Sequence, residues 1–121
     1  IIIMILLNII TRCTRTTKIK EVFESIDKKN KNFKINWYVL FDLTSMSDIP
    51  TDVISFLKDK SEIRFYDSDP NDFGHDMINK TIDEIQDGLV YVLDDDNMNP
   101  TLFTELVEIN QGAGKPELYC V

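Results

Sequence analysis

The chain of 121 residues carries a single histidine and two cysteines, Cys13 and Cys120, which form neither a disulfide framework nor a metal-ligand spacing. The pair reads as reduced, buried thiols in a cytoplasmic compartment. Basic side chains are also scarce: 13 Lys and Arg face 21 Asp and Glu, a formal net charge of −8. That excludes nonspecific binding to nucleic acid or to an anionic membrane, which needs a basic face, and leaves only a local basic cluster for phosphate. No hydrophobic run approaches the roughly 20 residues that span a bilayer. The apolar stretch from Ile1 to Leu7, continued by Ile9 and Ile10, lacks the basic start and small-residue cleavage site of a signal peptide. Repeats, low-complexity tracts and linkers are missing too, so the chain reads as one domain. Its 43% hydrophobic and 28% charged content is that of a soluble globular protein.

Hydrophobic periodicity divides the chain into alternating elements. Residues 1–10 are nearly all apolar and read as a strand buried on both faces, ended by the polar stretch Thr11 to Thr17. Ile19, Val22, Phe23 and Ile26 recur at helical spacing, and Lys28 to Lys31 follow where cations offset a helix dipole. Ile35 to Leu43 is a second strand with Trp37, Val39 and Phe41 on one side. A short helix carries Val53, Ile54 and Leu57, and Glu62 to Tyr66 is a third strand. After an acidic loop, a helix from Phe73 to about Gln86 turns Met77, Ile78, Ile82 and Ile85 inward and is stopped by Gly88. Leu89 to Leu93 is a strand, Pro100 opens another helix, and Glu117 to Val121 begins a last strand. Alternation of this kind predicts an α/β fold with a mostly parallel sheet and helices on both faces, a three-layer α/β/α sandwich.

At the end of the fourth strand stand three consecutive carboxylates, Asp94, Asp95 and Asp96. Like charges a few ångströms apart repel by about 1 kcal/mol in water and by several times that in a less polar setting. A divalent cation among the oxygens reverses the sign, because Mg²⁺ and Mn²⁺ take carboxylate ligands. Ligands of open α/β sheets bind beyond the carboxyl ends of the strands, so the triplet reads as a metal site facing a phosphate-bearing substrate. A run of aspartates is also the composition of a solvated turn. Two other short patterns carry no function: Gly112-Ala113-Gly114-Lys115 lacks the full phosphate-loop pattern, and the Asn79-Lys80-Thr81 sequon falls within a helix.

The segment Gly88-Leu89-Val90-Tyr91-Val92-Leu93-Asp94-Asp95-Asp96-Asn97, with Leu102, Phe103 and Leu106, resembles the G-V-V-Y-F-x-D-D-D-N…L-F…M segment of the β-1,3-glucuronyltransferases. Asn36-Trp37-Tyr38-Val39-Leu40-Phe41-Asp42 is similar to that family's H-W-I-V-V-E-D, and Gly74-His75-Asp76-Met77-Ile78-Asn79 falls where it has G-x-E-Q-R-N. Thr11-Arg12-Cys13-Thr14-Arg15 occupies the place of its T-Y-x-R loop, one residue longer. The resemblance covers the nucleotide-binding half of a GT-A domain. It implies a Rossmann-like GT-A fold and a metal-dependent glycosyltransferase that moves a sugar from a UDP-sugar to a hydroxyl of a glycan or protein.

Carried over position by position, the resemblance implies that Asp96 binds Mn²⁺ or Mg²⁺ and that Asp94 and Asp95 face ribose and donor sugar. It implies that Asp42 accepts a hydrogen bond from the uracil N–H, and that Thr11, Arg12, Arg15 and Asn79 line the nucleotide. The catalytic base and acceptor site are expected beyond Val121, so residues 1–121 are expected to be a donor-binding part. Three departures, Ile78 for an arginine, Phe41 for a glutamate and Arg12 for a tyrosine, leave the donor sugar open. From the residues alone, Asp42 also suits a helix cap, Arg12 and Arg15 the surface, Asn79 a local bond, and His75 a cap or a solvent-facing place. Two rival functions remain: a catalytically incomplete nucleotide-sugar-binding module, and a Mg²⁺-dependent phosphohydrolase or nucleotidyltransferase. The second lacks both a nucleophilic Asp with paired Thr and Lys and a Gly-rich loop after the first strand.

Overall fold

A computed structural model of the chain describes residues 5–96, apart from Asn32, Ser47, Pro70 and Phe73. Within them the chain runs β1 (Ile5–Cys13), α1 (Ile19–Lys29), β2 (Phe33–Asp42), α2 (Thr51–Leu57), β3 (Glu62–Tyr66), α3 (His75–Glu84) and β4 (Leu89–Val92). The expected helix after Pro100, the strand from Glu117 and Cys120 lie outside the described residues. The four strands form one all-parallel sheet in the order β3-β2-β1-β4. The fold is α/β and compatible with a Rossmann-like arrangement. No helix among the described residues is long and apolar enough to cross a membrane.

Register and alternation sort the side chains. β1 runs beside β2 from Ile5↔Phe33 to Cys13↔Phe41 and beside β4 from Leu7↔Leu89 to Ile10↔Val92, so odd-numbered residues of all three strands share a face. On that face Leu7, Ile9, Cys13, Trp37, Val39, Phe41, Leu89 and Tyr91 are buried in one cluster with Ile19, Val22, Phe23 and Ile26 of α1 and Val53 and Leu57 of α2. The four helical-spacing residues of α1 are thus all in the core, as the periodicity predicts. Phe23 stacks on Trp37 with ring centroids 3.6 Å apart, and the Lys20–Asp52 pair ties α1 to α2. Side chains of even-numbered strand positions meet α3 and its flanks: Gly74 lies against Arg12 and Tyr66, and Arg64 pairs with Glu84.

Element bounds differ from the expectation in several places: β2 spans Phe33–Asp42 rather than Ile35 to Leu43, and β4 ends at Val92 rather than Leu93. β1 and α3 differ most. β1 does not end at Ile10 but runs to Cys13. The polar Thr11 is accommodated in the core because its hydroxyl accepts a hydrogen bond from Trp37 Nε1 at 2.9 Å, and Cys13 is buried as a small hydrophobe. α3 is shorter than expected, and its apolar stripe of Met77, Ile78 and Ile82 is only half-buried. Its one fully buried residue is Thr81, which donates back to the Met77 carbonyl at 2.8 Å.

Gly88 opens β4 with φ of +90°, and a Cβ there would lie 2.6 Å from the Leu6 carbonyl oxygen. The neighbouring Asn8 amide donates to the carbonyls of Asp87 at 2.8 Å and Leu89 at 3.0 Å, fixing where β4 joins β1. Gly88→Ala is therefore expected to cost about 1–3 kcal/mol of stability, measured by urea unfolding. An unchanged midpoint would show that the β4 entry does not need this backbone.

Candidate functional site

The strand order fixes where a ligand fits. From β1 the chain winds outward to β2 and β3, then returns to place β4 on the other side of β1. The winding therefore reverses between β1 and β4, and the loops leaving their carboxyl ends diverge over a crevice. A cavity of about 500 Å³ lies there, lined by Arg12, Thr14, Arg15, His75, Ile78, Val92, Leu93 and the triplet Asp94 to Asp96. This is the size of a small-ligand site.

The three carboxylates do not converge. Asp95 is 4% exposed and turns inward, where its Oδ2 accepts the backbone N–H groups of Thr14 at 2.9 Å and Arg15 at 3.1 Å. It thereby pins the loop after β1 to the loop after β4. Arg15 Nη2 reaches Asp96 Oδ2 at 2.8 Å and Asp95 Oδ1 at 3.5 Å. Asp94 and Asp96 are exposed. The repulsion that the sequence pattern assigns to a cation is thus relieved here by two backbone dipoles and a guanidinium. Among the described residues, no group of three or more His, Cys, Asp or Glu side chains is arranged to hold a metal ion.

A second network crosses three strands. Asp42 pairs with Tyr66 in the β2–β3 register, and Arg12, opposite Leu40, stands one diagonal step from Asp42 on the same face. The register alone brings the three side chains together. Arg12 donates from Nη2 to Asp42 Oδ2 at 2.7 Å and from Nε to the Tyr66 hydroxyl at 3.1 Å. Asp42 is fully buried and also accepts from the Ser68 hydroxyl at 2.7 Å, the Thr44 N–H at 3.0 Å and the Ser45 hydroxyl at 3.3 Å. Burial works to raise its carboxyl pKa, but the Ser68 and Arg12 hydrogen bonds and the Thr44 N–H outweigh it, and the pKa lies below the ordinary carboxylate value. Burial raises the Tyr66 hydroxyl, and it pushes the Cys13 thiol up to about 12, which makes that free thiol inert.

The expected site residues therefore divide. Arg12, Arg15, Asp94, Asp95 and Asp96 meet in the crevice. Thr11 points into the core toward Trp37, because alternation along an extended β1 sends Thr11 and Arg12 to opposite faces. Asp42 sits behind Arg12 with its oxygens engaged by protein donors. Asn79 is exposed on α3 and does not line the crevice, whereas His75 and Ile78 do. Tyr66 and Ser68 escaped the sequence reading, and Gly74 enters it only as the start of a helix motif. Their signal was positional: Tyr66 closes β3 as Asp42 closes β2.

No protein-family model matches the chain, and comparisons with curated proteins and with solved structures found no match.

Proposed function

We propose that the crevice binds a UDP-sugar with Mn²⁺ or Mg²⁺ held at Asp96, and that the chain is the donor-binding part of a GT-A-type glycosyltransferase with an α/β/α sandwich. The observation that carries this reading is the meeting of two arginines and the acidic triplet at the point where the sheet's winding reverses. The donor set fits a nucleotide-bound metal, since such ions use one or two carboxylates and complete their shell with phosphate oxygens and water. Asp94 and Asp96 both line the crevice with exposed side chains, and the ion pair that occupies Asp96 lies at the surface and is worth at most about 1 kcal/mol.

When bound, the ion supplies Lewis-acid stabilisation of charge on a departing diphosphate. The chain's own residues do the rest of the positioning. Asp95 holds the two crevice loops in register, Arg15 neutralises the acidic end in the absence of ligand, and Ile78 and Leu93 give the crevice apolar surface. The acceptor is a hydroxyl of a glycan or protein, activated by a base that none of the residues assigned above supplies.

Calorimetric titration of UDP with and without Mn²⁺ tests the reading. Binding is expected to depend on Mn²⁺, and Asp96→Ala is expected to abolish that dependence while shifting stability by less than about 0.5 kcal/mol. Equal heats in the two titrations, or an Asp96→Ala variant that keeps the metal dependence, would remove the proposal.

A further inference from the structure

An arginine carries five N–H donors. Among the described residues two of those on Arg12 are engaged, one by Asp42 and one by Tyr66, which leaves three. The Arg12 side chain is 26% exposed and lines the same crevice as Arg15 and the triplet. Its carboxylate partner is fully buried and held by three further donors. Gly74, with φ of +79°, brings the chain so close that a Cβ would lie 2.3 Å from Arg12 Nε. The guanidinium is thus immobilised before any ligand arrives, and the entropy of ordering it is already lost in the free protein. Arg15 differs in kind: its side chain is 64% exposed, its short ion pair is to the 47% exposed Asp96, and the buried Asp95 lies only at 3.5 Å.

We propose that Arg12, oriented by Asp42 and Tyr66, is a preformed oxyanion site that receives a phosphoryl group of the ligand without a divalent ion. The proposal rests on the reading of the crevice as a nucleotide-sugar site and names the side chain that takes the phosphate there. A planar fork of N–H donors with no acceptor selects an anionic oxygen over any ligand donor. Asp42 is a positioning residue that acts through Arg12, and its ionised state keeps the fork turned toward the crevice.

Titration of inorganic pyrophosphate in EDTA is the test. The wild type is expected to bind, and the double variant Arg12→Met with Asp42→Asn, which leaves no buried charge unpaired, to bind about 10- to 100-fold more weakly. Arg15→Met is expected to weaken binding less than about threefold. Absence of binding in the wild type, equal binding in the double variant, or a larger loss in Arg15→Met overturns the proposal.

A measurement on the wild type covers the case in which the double variant fails to fold. The Arg12 Nε–H, held by Tyr66, gives a protected arginine signal in the ¹H–¹⁵N spectrum, assigned by its displacement in Tyr66→Phe. It is expected to shift as pyrophosphate is added, and a signal unmoved at saturation overturns the assignment. The two readings fail separately. Pyrophosphate binding at Arg12 with UDP binding indifferent to Mn²⁺ removes the metal-dependent donor site alone. Mn²⁺-dependent UDP binding without any pyrophosphate binding removes the Arg12 site alone.

Discussion

Asp95→Ala is expected to destabilise the protein by about 2–4 kcal/mol, although the residue lies in the middle of an acidic run at a loop. Charge-assisted hydrogen bonds contribute about 1.5–3 kcal/mol each, and Asp95 accepts two from backbone N–H groups that lie 80 and 81 positions away in sequence. Without the carboxylate, those N–H groups are left to whatever water reaches a partly buried loop. Asp95→Asn keeps one acceptor oxygen but loses the charge, so about half the loss is expected. Urea unfolding of Asp94→Ala, Asp95→Ala and Asp96→Ala side by side is the check. The middle member is expected to stand apart, with the outer two within about 0.5 kcal/mol of wild type. Three equal midpoints would mean that the inward turn of Asp95 does not hold the crevice together. The same variant is expected to weaken ligand binding by releasing the loop after β1 that Asp95 pins through the Thr14 and Arg15 N–H groups, whereas Asp96→Ala loses only what depends on the metal.

This contrast shows what a sequence pattern carries and where it stops. Helical spacing identified the buried face of α1, because hydrophobic burial leaves a periodic trace, and the bounds of β3 were legible to the residue because the breaker-rich stretch Asp67 to Asp72 follows it directly. The triplet was legible as an unusual concentration of charge, but not the division of labour within it. That division depends on which carboxylate meets the N–H groups of Thr14 and Arg15, which come from the distant end of β1. Thr11 misleads for a related reason. A threonine beside an arginine looks like the start of a loop, and only its parallel pairing with Val39, next to Trp37 on the same face, turns it into the partner of a buried indole. The Arg12–Asp42–Tyr66 line was invisible because it is a property of register. Each member stands at or next to the end of a different strand, and no local spacing connects them.

Replacing Asp42 is expected to have an effect of similar size and a distinctive pH dependence. Its fully buried carboxylate balances Arg12, whose side chain is itself mostly covered. Removing one partner of such a pair leaves an uncompensated charge, which costs about 3–5 kcal/mol when burial is complete. Because Arg12 keeps a quarter of its surface in water, about 2–4 kcal/mol is expected for Asp42→Ala, and somewhat less for Asp42→Asn, which still accepts one hydrogen bond. The folded-state pKa of Asp42 lies below its ordinary value, so its contribution is fully present above the unfolded-state pKa of about 4. As the pH falls below that value toward the folded pKa, the native state must give up the pair, and the contribution disappears. The stability gap between wild type and Asp42→Asn is therefore expected to stay constant from pH 7 to about 5 and to shrink below about pH 4. Denaturant titrations at several pH values measure it directly. A gap that persists undiminished at pH 3 would mean that the carboxylate is not held ionised by Arg12, Ser68 and Thr44, and Arg12 would then lose the anchor that makes it a preformed anion site.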